Sequence, residues 1–240
     1  MTIQPSFGNL LPGFPCQQPI VINGSSGNDR ISVTPNRNGG VDVSVMEQSG
    51  KVRHYSLSEE EAKRLVIKAG DGNDTVYVDP RVKQGITVDG GRGNDAIFGG
   101  SGDDRLSGGS GNDFIYGGAG NDFIDGGRGN DVLLGGRGND RIYGRRGNDY
   151  IDAGAGNDLV DAGRGNDYVH GGAGNDRIYG GSGSDYLNGG RGNDYIRGGR
   201  GNDVLVGGPG LDSLHGDQGN DTLVNNSVLD LLRRSILLKP

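Results

Sequence analysis

Between residues 90 and 224 an aliphatic residue returns at every ninth position, from Ile97, Leu106 and Ile115 through to Leu214 and Leu223, with Gly, Asn and Asp concentrated between them. That period belongs neither to a helix nor to a plain strand, so each unit must be a short strand followed by a turn. Laid under one another, fifteen units share the pattern Gly-Gly-x-Gly-Asn-Asp-x-aliphatic-x, with Gly at the fourth position and Asp at the sixth in every one. A segment such as Phe114, Ile115 and Tyr116, if extended, points out, in and out again, which sends the eighth position into a core. Six Gly-rich residues then turn the chain, because Gly tolerates the positive φ values of so tight a turn. Nine residues make half a coil and eighteen a full one. The predicted fold is all-β, a flattened right-handed parallel β-solenoid with successive turns about 4.8 Å apart. Such stacking places Asp104, Asp122 and Asp140 in a column on one edge, and Asp95, Asp113 and Asp131 in a column on the other.

The flanking residues read differently. Residues 20–89 have the pattern of a β-rich N-terminal cap holding two degenerate copies of the repeat, at 24–32 and 69–77. Between the copies, Val41, Val43 and Val45 alternate with polar residues, Gln48, Ser49 and Gly50 make a turn, and 51–57 returns as a second strand. Ser58 with Glu61 is a capping box for a short helix over 59–65. Residues 1–19, with Pro5, Pro12, Pro15 and Pro19 and no basic residue, read as an extended or disordered lead rather than a secretory signal peptide. Residues 225–240 read as a helical cap or a secretion signal, with a short amphipathic helix over 228–238.

Composition narrows the function classes. With 51 Gly and 31% hydrophobic residues, a thin repetitive core replaces a conventional one. Cys16 is the single cysteine, so no internal disulfide can form. No apolar run approaches the length of a membrane span. His54, His170 and His215 lie in no H-E-x-x-H motif, and neither a G-x-S-x-G elbow nor a P-loop is present, so the expectation is a protein that is not an enzyme.

The aspartates carry the chemistry. Carboxylates about 5 Å apart repel, and a ladder of them assembles only if a cation sits between the rungs. Calcium suits such a site, since it takes six to eight oxygens in loose geometry and mixes carboxylates with main-chain carbonyls. Three His and one Cys cannot supply a repeated zinc or copper site. The expected carboxylate ligands are Asp95, Asp104, Asp113, Asp122, Asp131, Asp140, Asp149, Asp158, Asp167, Asp176, Asp185, Asp194, Asp203, Asp212 and Asp221. The expected main-chain ligands come from Gly100, Gly102, Gly109, Gly111, Gly118, Gly120, Gly127, Gly129, Gly136, Gly138, Gly172, Gly174, Gly190 and Gly192.

These units resemble the G-G-x-G-x-D-x-U-x nonapeptide of the RTX, or haemolysin-type calcium-binding, family. The resemblance implies a parallel β-roll with calcium held between loops two units apart, up to about thirteen ions in fifteen units, and export by a type I secretion system. Weaker sites are expected where Arg145 and Asp217 replace the second Gly, where Ala153 and Ala162 replace the first, and around Pro209 and Leu211.

Two surface patterns remain. Outward positions on one sheet include Phe114, Tyr116, Tyr150, Tyr168 and Tyr186, either an exposed binding strip or cross-strand stacking that stiffens a flat sheet. Arg92, Arg128, Arg137, Arg146, Arg164, Arg191 and Arg200 occupy the third position, and no Lys occurs between Lys83 and Lys239. These arginines either partly neutralise the Asp columns or, once two charges per ion across about thirteen ions reverse the net charge of −7 to about +19, attract an anionic polymer or cell surface. The functional expectation is a secreted, extracellular bacterial module that folds on binding calcium and acts in binding or virulence. The alternative is a structural or adhesive spacer or matrix protein without a dedicated ligand.

Overall fold

The computed structural model describes residues 18–225, so the lead up to residue 17 and the helix expected over 228–238 lie outside the described residues. The chain winds as a parallel β-solenoid whose strands alternate between two sheets, one of ten strands and one of twelve. Each strand pairs with the strand one coil on, in strict eighteen-residue register through the repeats: Ile115 lies beside Leu133, and Ile124 beside Ile142.

The core is thin. Eighth-position residues Ile97, Leu106, Ile115, Ile124, Leu133, Ile142 and Ile151 are fully buried between the two sheets. The column frays only at the C-terminal end, where Leu214 is partly buried and Leu223 is half exposed.

Strands are longer than the three residues expected. Phe114–Ala119 and Phe123–Arg128 run six residues, through the Gly pair and into the third position. Gly117 interrupts the ladder, yet Gly118, at φ 113°, still pairs with Gly136. Two second-position residues take the same left-handed conformation with side chains attached, Arg145 at φ 76° and Asp217 at φ 71°.

The solenoid begins well before residue 90. Ile20–Asn23 pairs in parallel with Leu65–Asp71, and Arg30–Pro35 with Thr75–Val78, so both degenerate copies are rungs of the same two sheets. Between them Val41–Met46 and Val52–Leu57 form the expected hairpin, with Met46 opposite Val52 and Gly50 at φ 82°. Val41–Met46 also pairs antiparallel with Arg30–Pro35, so the hairpin covers the N-terminal edge of the twelve-stranded sheet. The helix is shorter than expected, Glu59–Ala62 rather than 59–65. Its capping box is present, with Glu61 Oε2 accepting from the Ser58 N–H at 2.9 Å. Leu65 is lost to it because Leu65 pairs with Ile20 and is buried.

Candidate metal centre

Each loop is tied to its neighbours one coil away by four hydrogen bonds that the repeat dictates. Gly111 N–H donates to the Arg128 carbonyl at 2.8 Å, and Phe114 N–H to the Asp95 carbonyl at 2.8 Å. Asn112 N–H donates to Asn94 Oδ1 at 2.7 Å, which makes the fifth-position side chains a ladder of Asn, with Asp103 and Ser184 as the acceptors at two rungs. Asp113 N–H donates to Asp131 Oδ1 at 2.8 Å, which makes the sixth-position Asp side chains a second one.

Asp104 apart, the buried carboxylates of the Asp ladder are used only by half. Among the described residues, Oδ2 of Asp95, Asp113, Asp122, Asp131, Asp140, Asp149, Asp158, Asp167, Asp176, Asp185, Asp194, Asp203 and Asp212 is buried without a hydrogen-bond partner. A buried carboxylate oxygen left unsatisfied costs upwards of 1–3 kcal/mol, and here the omission recurs down both edges of the molecule. Burial lifts these carboxyls above the ordinary range, to about 7 for Asp122, Asp131, Asp158 and Asp167, with the carboxylates one coil away pushing in the same direction.

Oδ2 turns toward the first Gly of its own unit. A methyl group added at Gly90 would lie 2.5 Å from Asp95 Oδ2 and 2.6 Å from the carbonyl oxygen of Gly108, one coil on. At Gly180 the same hypothetical methyl meets Asp185 Oδ2 at 2.6 Å and the Gly198 carbonyl at 2.7 Å. The missing side chain therefore leaves a recess onto which a carboxylate and a main-chain oxygen converge. Carbonyls of the second and fourth positions point instead along the solenoid axis at the next coil. Gly91 O approaches Gly109, and Gly93 O approaches Gly111, so closely that neither glycine has room for a Cβ. The expected second- and fourth-position glycines thus line the loops, while the carbonyl beside each Oδ2 belongs to the first position. That carbonyl is not legible in the pattern, because its Gly has ordinary negative φ and its orientation follows from the strand.

Among the described residues no three His, Cys, Asp or Glu side chains form a cluster that could hold an ion. A cation at these recesses must therefore draw on main-chain oxygen as well as carboxylate. That all-oxygen donor set is the chemistry of a hard cation and fits calcium.

The columns differ from expectation at their ends. Asp74 belongs to the series, since its N–H donates to Asp95 Oδ1 at 2.8 Å and its own Oδ2 is buried without a partner. Asp104 stands apart, because Gly100 N–H donates to its Oδ2 at 2.8 Å and Ile86 N–H to its Oδ1 at 2.7 Å, where the loop below carries no Asp. Asp221, the last rung, lies outside the buried set. Midway, fully buried Ala153 and Ala162 put a methyl group into the recess that Gly leaves open beside Asp158 and Asp167.

The family model for RTX calcium-binding nonapeptide repeats fits residues 66–79, 87–115, 98–133, 125–160, 134–169, 161–196 and 188–223, more than half of the chain. A search of curated proteins finds none that matches. Among the described residues no helix is long and apolar enough to cross a membrane. With its nonapeptides stacked as a β-solenoid and their aspartates in register, the chain belongs to the RTX calcium-binding nonapeptide repeat family.

Proposed function

We propose that the chain is a calcium-folded module that acts outside the cell. Calcium ions sit between successive loops on each edge, held by the Oδ2 atoms of the two Asp columns and by first-position carbonyls. The observation that carries this reading is the row of buried Oδ2 atoms without partners, repeated in thirteen of the fifteen units. Supplying charge to them removes both the desolvation cost and the repulsion between rungs. Metal binding free energy then becomes folding free energy. Scarce calcium inside the cell favours the unfolded chain, which suits passage through a type I secretion system, and millimolar calcium outside favours the roll. About thirteen ions remain the expected maximum, with Asp104 and the Ala153 and Ala162 loops the weakest positions. Once loaded, the positively charged surface engages an anionic polymer or a cell surface. This role needs no catalytic group, and the module is read as non-enzymatic.

Equilibrium dialysis against calcium tests the assignment. The expected result is binding of many ions per chain, with Asp131→Asn and Asp149→Asn each lowering the number, while magnesium at the same concentration does not compete. A count of one or two, unchanged by those substitutions, contradicts it. The second reading is a rigid spacer, and the stacked rings of Tyr150, Tyr168 and Tyr186, at 5.3 and 4.9 Å between centroids, favour it for the twelve-stranded face. Those rings cover one another's faces and stiffen the sheet.

A further inference from the structure

The arginines are sorted between the two faces. Third-position residues of alternate units fall on opposite sheets, and the ten-stranded sheet receives an exposed column of Arg92, Arg128, Arg146, Arg164 and Arg200. Seventh-position Arg105, Arg141 and Arg177 form a second exposed column at the other margin of the same sheet. On the twelve-stranded sheet the repeats supply only Arg137 and Arg191 among the described residues.

Neutralisation of the Asp columns does not explain this sorting. Those columns run down both edges, whereas the arginines crowd one face. Among the described residues none of the eight arginines in the two columns forms an ion pair. Salt bridges on this face use other residues, Arg145 with Asp125 at 2.7 Å and Arg197 with Asp217 at 2.5 Å.

The two margins also differ in rhythm. Along the seventh position Arg105, Phe123, Arg141, Leu159, Arg177 and Tyr195 succeed one another, so a cation recurs on every second rung, about 9.6 Å apart at the usual strand spacing. Tyr143 and Tyr179 lie in the ninth position beside Arg141 and Arg177.

We propose that this ten-stranded face docks a linear acidic polysaccharide laid along the solenoid axis. Guanidinium forks recognise carboxylate and sulfate groups in two-pronged fashion, which a lysine cannot do. The seventh-position arginines, one on every second rung, match a polymer that is itself extended and carries charge at regular intervals. Duplex DNA winds its phosphates around its axis and leaves a flat strip within a few rungs. Between the arginine columns the ninth positions carry Asp89, Asp125 and Asp161 along with Tyr143 and Tyr179; Arg145 pairs with Asp125 and stacks over Tyr143, which leaves the Tyr179 ring to meet a sugar ring. This inference rests on the calcium-folded roll proposed above.

The test uses the full chain in excess calcium, with heparin oligosaccharide as the probe, dextran as the neutral control and a DNA duplex as competitor. The triple variant Arg128→Ser, Arg146→Ser, Arg164→Ser is expected to lose roughly tenfold or more in affinity, as for removal of several charge contacts. The variant Arg137→Ser, Arg191→Ser on the opposite face stays within about twofold, the size of a rim-charge effect. Circular dichroism of each variant reports folding, and the same three positions changed to Lys give a folded control of intermediate affinity. Equal losses from both faces, or stronger binding of the duplex than of heparin at matched salt, overturn the proposal. So does failure of the folded, calcium-loaded chain to bind heparin. Heparin binding that persists in EGTA with β structure intact contradicts calcium-driven folding instead, and leaves the docking face standing.

Discussion

Asp113 and Asp131 share one hydrogen bond and leave one atom over: the N–H of Asp113 donates to Asp131 Oδ1 at 2.8 Å, while Asp131 Oδ2 is buried without a partner. One oxygen builds the metal-free ladder and the other faces the recess. The two roles are separable by substitution. Asp131→Asn keeps the Oδ1 acceptor and removes the charge. Calorimetric titration is expected to show weaker calcium binding at the loops on either side, with loss of one or two ions, whereas circular dichroism in EGTA at about pH 5, where the metal-free chain gains β structure, finds the variant as ordered and as stable as the parent or more so. A variant that loses calcium affinity and metal-free stability together would contradict this division of labour.

Ala153 and Ala162 test the recess from the other side. Both are fully buried, and both stand where other units carry Gly beside the Asp. Changing the pair to Gly reopens the recesses next to Asp158 and Asp167. Calcium stoichiometry by dialysis is expected to rise, or the weakest binding phase to tighten. The cost is two lost methyl contacts, each of about 1 kcal/mol in the core.

Arg145 carries backbone strain that its contacts offset only in part. It holds φ 76°, where an L-residue costs about 1–2 kcal/mol. Its exposed pair with Asp125 returns at most about 1 kcal/mol, and its guanidinium stacks 4.7 Å over the Tyr143 ring. Arg145→Gly is therefore expected to shift the calcium-loaded unfolding free energy by less than about 1 kcal/mol in either direction. Gly129→Ala, at φ 128° and packed against the Gly111 carbonyl, has no such latitude and is expected to abolish cooperative folding.

Acid acts in opposite directions on the empty and loaded chains. Burial raises Asp122, Asp131, Asp158 and Asp167 from 3.8 to about 7 in the folded state. The folded chain without metal therefore binds more protons than the unfolded one between those values, and its stability falls as pH rises through about 7. In EGTA, β structure by circular dichroism is expected to increase as pH is lowered from about 8 to about 5. In calcium, the midpoint concentration rises over the same window, because protons compete for the same oxygens. A metal-free chain that loses β structure on acidification would contradict this.

Much of this was readable in advance because the repeat keeps an eighteen-residue coil. Position alone placed Ile115 in the core and put Asp113 above Asp95. Asp74 is not legible as a column member because three extra residues around Pro80 move its spacing to Asp95 to 21 residues. Asp29 lies 45 residues before Asp74, with the hairpin between, and its carboxylate is taken up by Ser25. Strand length is not legible because Gly marks turns, yet Gly118 and Gly136 pair as strand residues. The sorting of arginines stayed hidden because the third position belongs to the strand and alternates between faces, so it emerges only when units are separated by parity.

If calcium is the folding ligand, the chain at neutral pH orders only when the ion is supplied. Far-ultraviolet circular dichroism of the full chain in EGTA, titrated with calcium and separately with magnesium, tests it most directly. A largely unfolded spectrum in EGTA at neutral pH and a cooperative transition to β structure with calcium alone are the expected result. A stable β spectrum in EGTA, unchanged by calcium, would mean that the Asn and Asp ladders hold the roll by themselves, and would contradict it.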